Sequence, residues 1–272
     1  MAEIGSNWLG RESLALRHIR EAAASGVHGV KFQLFRAKEL YDIPPSGLER
    51  FELSLELLPI LRHYAHENGV EFSVTPYSPV LAEALHGHID QVKVSAYDLT
   101  YDDLLTAVAQ LNVPIVLSTA MATLAEIKHA LEVLAKPLNQ DVTLLHGVAA
   151  YPAARADTHL ARMALLQATW PSRRVGLSDH SIGIGVSQAA AYMGALHIEK
   201  HTKVLLPEIE RDSPDAPHSV SFRKIRSLIA AIEDIPLIYG KHEAIGPLPS
   251  EMPLFETCRR SNAHPQRKGI SE

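Results

Sequence analysis

Eight short runs of β-forming residues recur along the chain, each followed by a stretch with helical spacing, and this order constrains the fold more than any other feature. The runs are Ala2–Gly5, Gly29–Gln33, Val70–Thr75, Gln91–Ser95, Pro114–Ser118, Val142–His146, Val175–Ser178 and Ala195–Lys200. Between them apolar residues return every three or four positions: Leu124, Ile127, Leu131 and Leu134 make one stripe, Phe222, Ile225, Ile229 and Ile232 another. Thr123 with Glu126 three residues on has the form of a capping box, and Asp157 is positioned to cap a helix through 159–167. Strand–helix alternation implies parallel strands joined by helical crossovers, either a closed barrel or a doubly wound open sheet. Eight units in 272 residues suit the barrel, which takes roughly 250. The open sheet often has a Gly-rich phosphate turn after its first strand, where this chain has Ser6-Asn7-Trp8-Leu9-Gly10. The predicted fold is α/β, a single-domain (β/α)8 TIM barrel over residues 1–235. Pro236, Pro247, Pro249 and Pro253 punctuate a connecting tail over 236–272.

Charge excludes some partners. The 26 Lys and Arg residues against 31 Asp and Glu leave a net charge of −5, so neither nucleic acid nor an anionic membrane is an expected partner. No apolar run reaches the ~18 residues of a membrane span, and the first residues alternate like a strand rather than a signal peptide. A lone cysteine, Cys258, forms no internal disulfide. The expectation is a cytoplasmic protein acting on small molecules, with homodimerisation left open.

A barrel builds its active site at the C-terminal ends of its strands. Those ends deliver Glu3; Lys31 and Gln33; Thr75; Lys93 and Ser95; Ser118 and Thr119; His146 and then Tyr151; Ser178, Asp179 and His180; and Glu199, Lys200 and His201. A lysine buried without a partner is costly, so Lys31 and Lys93 are expected to face an anion or a carboxylate. With 15 histidines in the chain any one pair is weak evidence for a metal, but His180 and His201 end adjacent strands.

All of these residues but Ser95 fall in eight ordered segments. They are Ala2-Glu3-Ile4-Gly5-Ser6-Asn7, Val30-Lys31-Phe32-Gln33, Phe72-Ser73-Val74-Thr75-Pro76-Tyr77, Val92-Lys93-Val94, Ser118-Thr119-Ala120-Met121-Ala122-Thr123, Leu145-His146 with Tyr151-Pro152, Gly176-Leu177-Ser178-Asp179-His180-Ser181-Ile182-Gly183, and Ile198-Glu199-Lys200-His201. In them the chain resembles the sialic acid synthase family, whose members condense phosphoenolpyruvate with an N-acylated sugar or its relative. The resemblance covers the catalytic barrel and linker, without the family's C-terminal antifreeze-like domain. It implies that His180 and His201 hold a divalent metal, usually Mn²⁺, with Mg²⁺, Co²⁺ and Zn²⁺ as alternatives. It implies that Lys31, Thr75, Lys93, Ser118 and Ser178 surround phosphoenolpyruvate, and that Glu3, Gln33, Tyr151 and Asp215 lie near the sugar. Asp215 is matched through Ser213-Pro214-Asp215 and Ser219, which mirror the family's Gly-Pro-Asp and its following serine. The chemistry agrees: an anionic donor needs fixed cations and hydroxyls, and proton transfer needs a carboxylate, for which Glu3 and Asp98 are the candidates.

The chain departs from the family pattern at several points. Ala96 and Ala149 replace hydroxyl or amide residues, Ala120 a glycine, Gly147 a cysteine and Tyr101 an asparagine. Strand alternation turns Ser95 away from the site, and Tyr97 and Tyr101 are expected to crowd the end of strand four. The alternatives are a divergent barrel with another enolate donor or acceptor, and a non-catalytic sugar-acid-binding relative.

Overall fold

Side chains alternate between the two faces of a strand, and in this chain both faces are buried. In β2 (Gly29–Leu34), Val30, Phe32 and Leu34 join the main apolar core, while Lys31 and Gln33 alternate with them. In β3 (Glu71–Pro76), Phe72 and Val74 do the same against Ser73 and Thr75. The computed structural model describes residues 1–135, 141–240, 245–261 and Gln266. With β1 (Ala2–Glu3), β4 (Gln91–Val94), β5 (Ile115–Ser118), β6 (Val142–Gly147), β7 (Val175–Asp179) and β8 (Ile198–Lys203), these strands pair in parallel in chain order. β1 also pairs with β8, which closes the (β/α)8 barrel. The apolar strand face meets the helices, and the polar set points to the axis.

The helices form where the stripes place them. Leu124–Leu134 buries Ile127, Leu131 and Leu134, and its capping box is complete: Thr123 N–H donates to Glu126 Oε2 at 2.7 Å, and Glu126 N–H to Thr123 Oγ1 at 3.3 Å. Phe222–Glu233 buries Phe222, Ile225 and Leu228, with Ile229 and Ile232 only half-buried. Three local expectations are corrected. Asp157 ends a 3₁₀ turn (Arg155–Asp157), and the helix after it begins at Ala161. β8 starts at Ile198, because Ala195 is still held by the preceding helix through its N–H to Ala190. Ser95 lies one residue past β4, where alternation no longer applies, and caps the turn Ala96–Asp98.

A short β9 (Val220–Ser221) pairs with the end of β8 and anchors the loop that carries Asp215 and His218. Met1–Ile235 forms one compact unit, and a second begins at Pro236, with a helix at Met252–Cys258. Among the described residues no helix is long and apolar enough to cross a membrane.

Candidate active site

The axial side chains at the strand ends meet in a narrow cavity holding four buried charges. Lys31 forms an ion pair with Glu3 and donates to Thr75 Oγ1 at 3.0 Å, with Glu199 Oε1 3.7 Å away. Lys93 donates to the same Glu199 oxygen at 2.8 Å, and Ser178 Oγ donates to it at 3.1 Å. The register explains the pairing: Glu3 is level with Lys31 across β1 and β2, and Ser178 with Glu199 across β7 and β8. The carboxylate expected opposite the lysines is therefore supplied by the protein twice over. Burial would raise the Glu199 carboxyl, but Lys31 and Lys93 hold it well below its ordinary range. Glu3 is different. Burial lifts it to about 6 despite Lys31, helped by the nearby Glu199 charge. Its Oε1 accepts from Gly5 N–H at 2.8 Å and Gln33 Nε2 at 3.3 Å.

Three imidazoles flank this cavity. His180 directly follows β7, His201 lies in β8, and His218 comes from the loop before β9. Their ring centroids are 5.7 Å (His180–His201), 4.5 Å (His201–His218) and 6.4 Å (His180–His218) apart. Tyr151 packs among them, 4.3 Å from the His180 ring and 5.3 Å from that of His218. His180 Nδ1–H donates to the Val148 carbonyl at 2.7 Å, which fixes the tautomer and leaves Nε2 as the lone-pair nitrogen. Burial lowers His180 to about 4 and His201 well below its usual value, so both are neutral near pH 7, the form that binds metals. His201 Nδ1 and both nitrogens of His218 are buried without a hydrogen-bond partner in the protein. A donor set of neutral imidazoles beside a carboxylate suits a divalent transition metal.

Beside the central cavity lies a chamber of about 510 Å³. Gln33 and Tyr77 line both. Phe35, Tyr41, Phe51 and Tyr97 form its aromatic walls, with Asp98 and Asp215 as its acidic groups. Burial raises the Asp98 carboxyl to about 6, and its Oδ2 has no partner. An apolar wall with a few convergent polar groups is the usual form of a small-molecule site.

Ten of the residues singled out from sequence share the central cavity: Glu3, Lys31, Gln33, Thr75, Lys93, Ser118, Tyr151, Ser178, His180 and His201. Asp98 and Asp215 line the neighbouring chamber instead. Ser95 lines the central cavity beside Ala96, contrary to the alternation rule. Tyr101 and Ala149 line neither cavity, and Tyr97 lies on the chamber wall. His146 turns away and meets the Thr158 carbonyl at 2.6 Å. Two participants were not assigned from sequence: Glu199, whose strand-end position was visible, and His218, one of 15 histidines in a proline-containing loop.

A family model described as the NeuB family matches residues 18–244. The chain is 32% identical to an N,N'-diacetyllegionaminic acid synthase of Campylobacter jejuni over 88% of its own length and 77% of that protein. It is 27% identical to an N-acetylneuraminate-9-phosphate synthase of Drosophila melanogaster over 87% of this chain and 68% of that one. The crystal structure of an N-acetylneuraminic acid synthetase from Leptospira borgpetersenii in complex with citrate superposes with a TM-score of 0.80. That match has 28% identity and covers 92% of this chain and 87% of the other.

Proposed function

The chain belongs to the NeuB family of sialic-acid-synthase-like proteins, and from that premise we propose that it condenses phosphoenolpyruvate with an N-acyl-hexosamine-type aldehyde and releases phosphate. The observation that carries the proposal is the pair of buried lysines at one strand-end cavity, shared with two carboxylates and flanked by neutral histidines. A donor bearing phosphate and carboxylate takes over Lys31 and Lys93 from Glu3 and Glu199, with Thr75, Ser118 and Ser178 as hydroxyl donors. Gln33, Tyr151 and Asp215 are assigned to the acceptor, whose open carbon chain and N-acyl group suit the aromatic chamber. A divalent metal held by His180 and His201 supplies Lewis acidity toward the acceptor carbonyl; Mn²⁺ is the proposed ion, with Mg²⁺, Co²⁺ and Zn²⁺ as alternatives.

Carbon three of the enol attacks the aldehyde carbon, water adds at carbon two, and the C–O bond to phosphate breaks. Glu3 and Asp98, both near pKa 6, exchange protons at neutral pH. Between them these carboxyl groups take the proton of the adding water and supply one to the acceptor oxygen. The test is phosphate release from phosphoenolpyruvate across a panel of N-acyl sugars, each with added Mn²⁺. Release with at least one acceptor is expected. No release with any acceptor, together with no thermal shift on adding phosphoenolpyruvate, overturns the proposal. Ala96 on the cavity wall favours one second reading, a divergent barrel with another enolate donor; pyruvate or another enolisable acid is then the substrate consumed.

A further inference from the structure

His218 is 2% exposed, and neither of its ring nitrogens has a hydrogen-bond partner in the protein. A buried imidazole left in that state is costly, and natural structures rarely keep one without a use. Its surroundings indicate the use. His218, His201 and Asp215 each offer one ligand atom, and all three atoms lie within 4.8 Å of one another. His218 Nε2 is 3.5 Å from Asp215 Oδ1, and His201 Nδ1 is 3.9 Å from Asp215 Oδ2. Two donors bonded to one ion at about 2.1 Å stand at most about 4.2 Å apart, so small rotations of the rings suffice to grip one.

The carboxylate is already aimed. Ser6 N–H and Ser6 Oγ donate to Asp215 Oδ2 at 2.7 and 2.8 Å, which leaves Oδ1 turned to His218. Ser219 Oγ donates to the Asp215 carbonyl at 2.7 Å and fixes the loop between them. Gly5 adopts φ +52°, and a Cβ there would overlap Asp215 Oδ2 and stand 3.2 Å from His201 Nδ1. Only a glycine lets the backbone close on the cluster this tightly.

The geometry points to a divalent-metal site in which His218 and Asp215 are ligands together with His201. His218 falls between the matched Asp215 and Ser219, where the family resemblance assigns no ligand. Asp215 then acts on the acceptor through the ion rather than as a direct sugar contact. Two imidazoles and a carboxylate favour borderline ions such as Zn²⁺ and Co²⁺ over Mg²⁺. The inference shares with the proposed synthase activity only the premise that a divalent ion binds at this cavity.

The test is titration of the metal-free full chain with Co²⁺, followed by visible absorption, and competition with Zn²⁺. The variants His218→Phe and Asp215→Asn are each expected to weaken Co²⁺ binding at least about tenfold and to change the absorption band. A purely sugar-contacting Asp215 would leave both readouts unmoved. Wild-type affinity and spectrum in His218→Phe would overturn the assignment. If that variant does not fold, anomalous diffraction from Zn²⁺-soaked wild-type crystals decides. An ion bonded to His218 and Asp215 supports the site, and one bonded to His180 and His201 but not to His218 overturns it. Absence of phosphate release by the wild type bears on the synthase proposal alone, because none of these readouts involves turnover.

Discussion

Glu3 is lifted to about 6 by burial while paired with Lys31, so its charge is easily given up. An anion that takes over Lys31 pushes it higher still. Donor binding at pH 7 is therefore expected to take up a fraction of a proton, read by calorimetry in buffers of different ionisation enthalpy. Uptake should vanish in Glu3→Gln, and its persistence there would exclude Glu3 as the group. Lys93 tests the other half of the cavity. Lys93→Met should raise the apparent KM for the donor at least about tenfold, the loss of one charge-assisted bond worth about 1.5–3 kcal/mol. An unchanged KM would remove Lys93 from the donor's contacts. Two departures from the family pattern turn out to be neighbours: a Cβ at Gly147 would stand 3.9 Å from Ala120 Cβ. The methyl gained at one position thus faces the side chain lost at the other, which keeps the local volume roughly constant.

The helix Glu12–Ala24 carries a buried histidine whose protonation state the fold dictates. His18 Nδ1–H donates to the Leu14 carbonyl at 2.8 Å, and Nε2 accepts from Val204 N–H, just past β8, at 3.2 Å. Only the neutral ring makes both bonds, and burial lowers its pKa to about 4. The unfolded chain protonates this residue near 6.5, so the stability it confers is present above that pH and lost as pH falls toward 4. Between pH 7 and pH 5 His18 alone should cost the fold about 2 kcal/mol. Urea unfolding at the two pH values should show that loss reduced in His18→Gln; equal losses would refute the assignment. His180 and His197, at about 4 and about 3, steepen the same acid limb, while Glu3 and Asp98, raised to about 6, oppose it. Elements of this kind could be read from the chain only in part. Strand positions showed through because buried parallel strands are apolar runs with polar ends, and the ends carried most of the site. Ser95 and His218 escaped because each lies beyond a strand, where a turn rather than the pleat sets direction. The Glu199 pairing escaped because it joins β8 to β2 and β4 across the axis, a juxtaposition that exists only once the barrel closes.

Closure rests on the shortest strand of the barrel. β1 contributes two residues, Ala2 and Glu3, each paired on both sides, to Val30 and Lys31 in β2 and to Lys200 and His201 in β8. The Met1 amine donates to the Ile198 carbonyl at 2.9 Å, and Lys200 N–H donates to the Met1 carbonyl at 3.2 Å. Removing residues 1–4 deletes the seam and exposes the edges of β2 and β8. The shortened chain is expected to lose its sharp thermal transition and bind a hydrophobic dye. A cooperative melt at the original Tm would show that the seam is dispensable. Glu3 is at once a rung of that seam and a carboxyl assigned to proton transfer, so the latch and the trigger are one residue. Warming that merely loosens the latch disarms the trigger while the remaining staves still hold, and turnover should fail several degrees before the circular dichroism signal does.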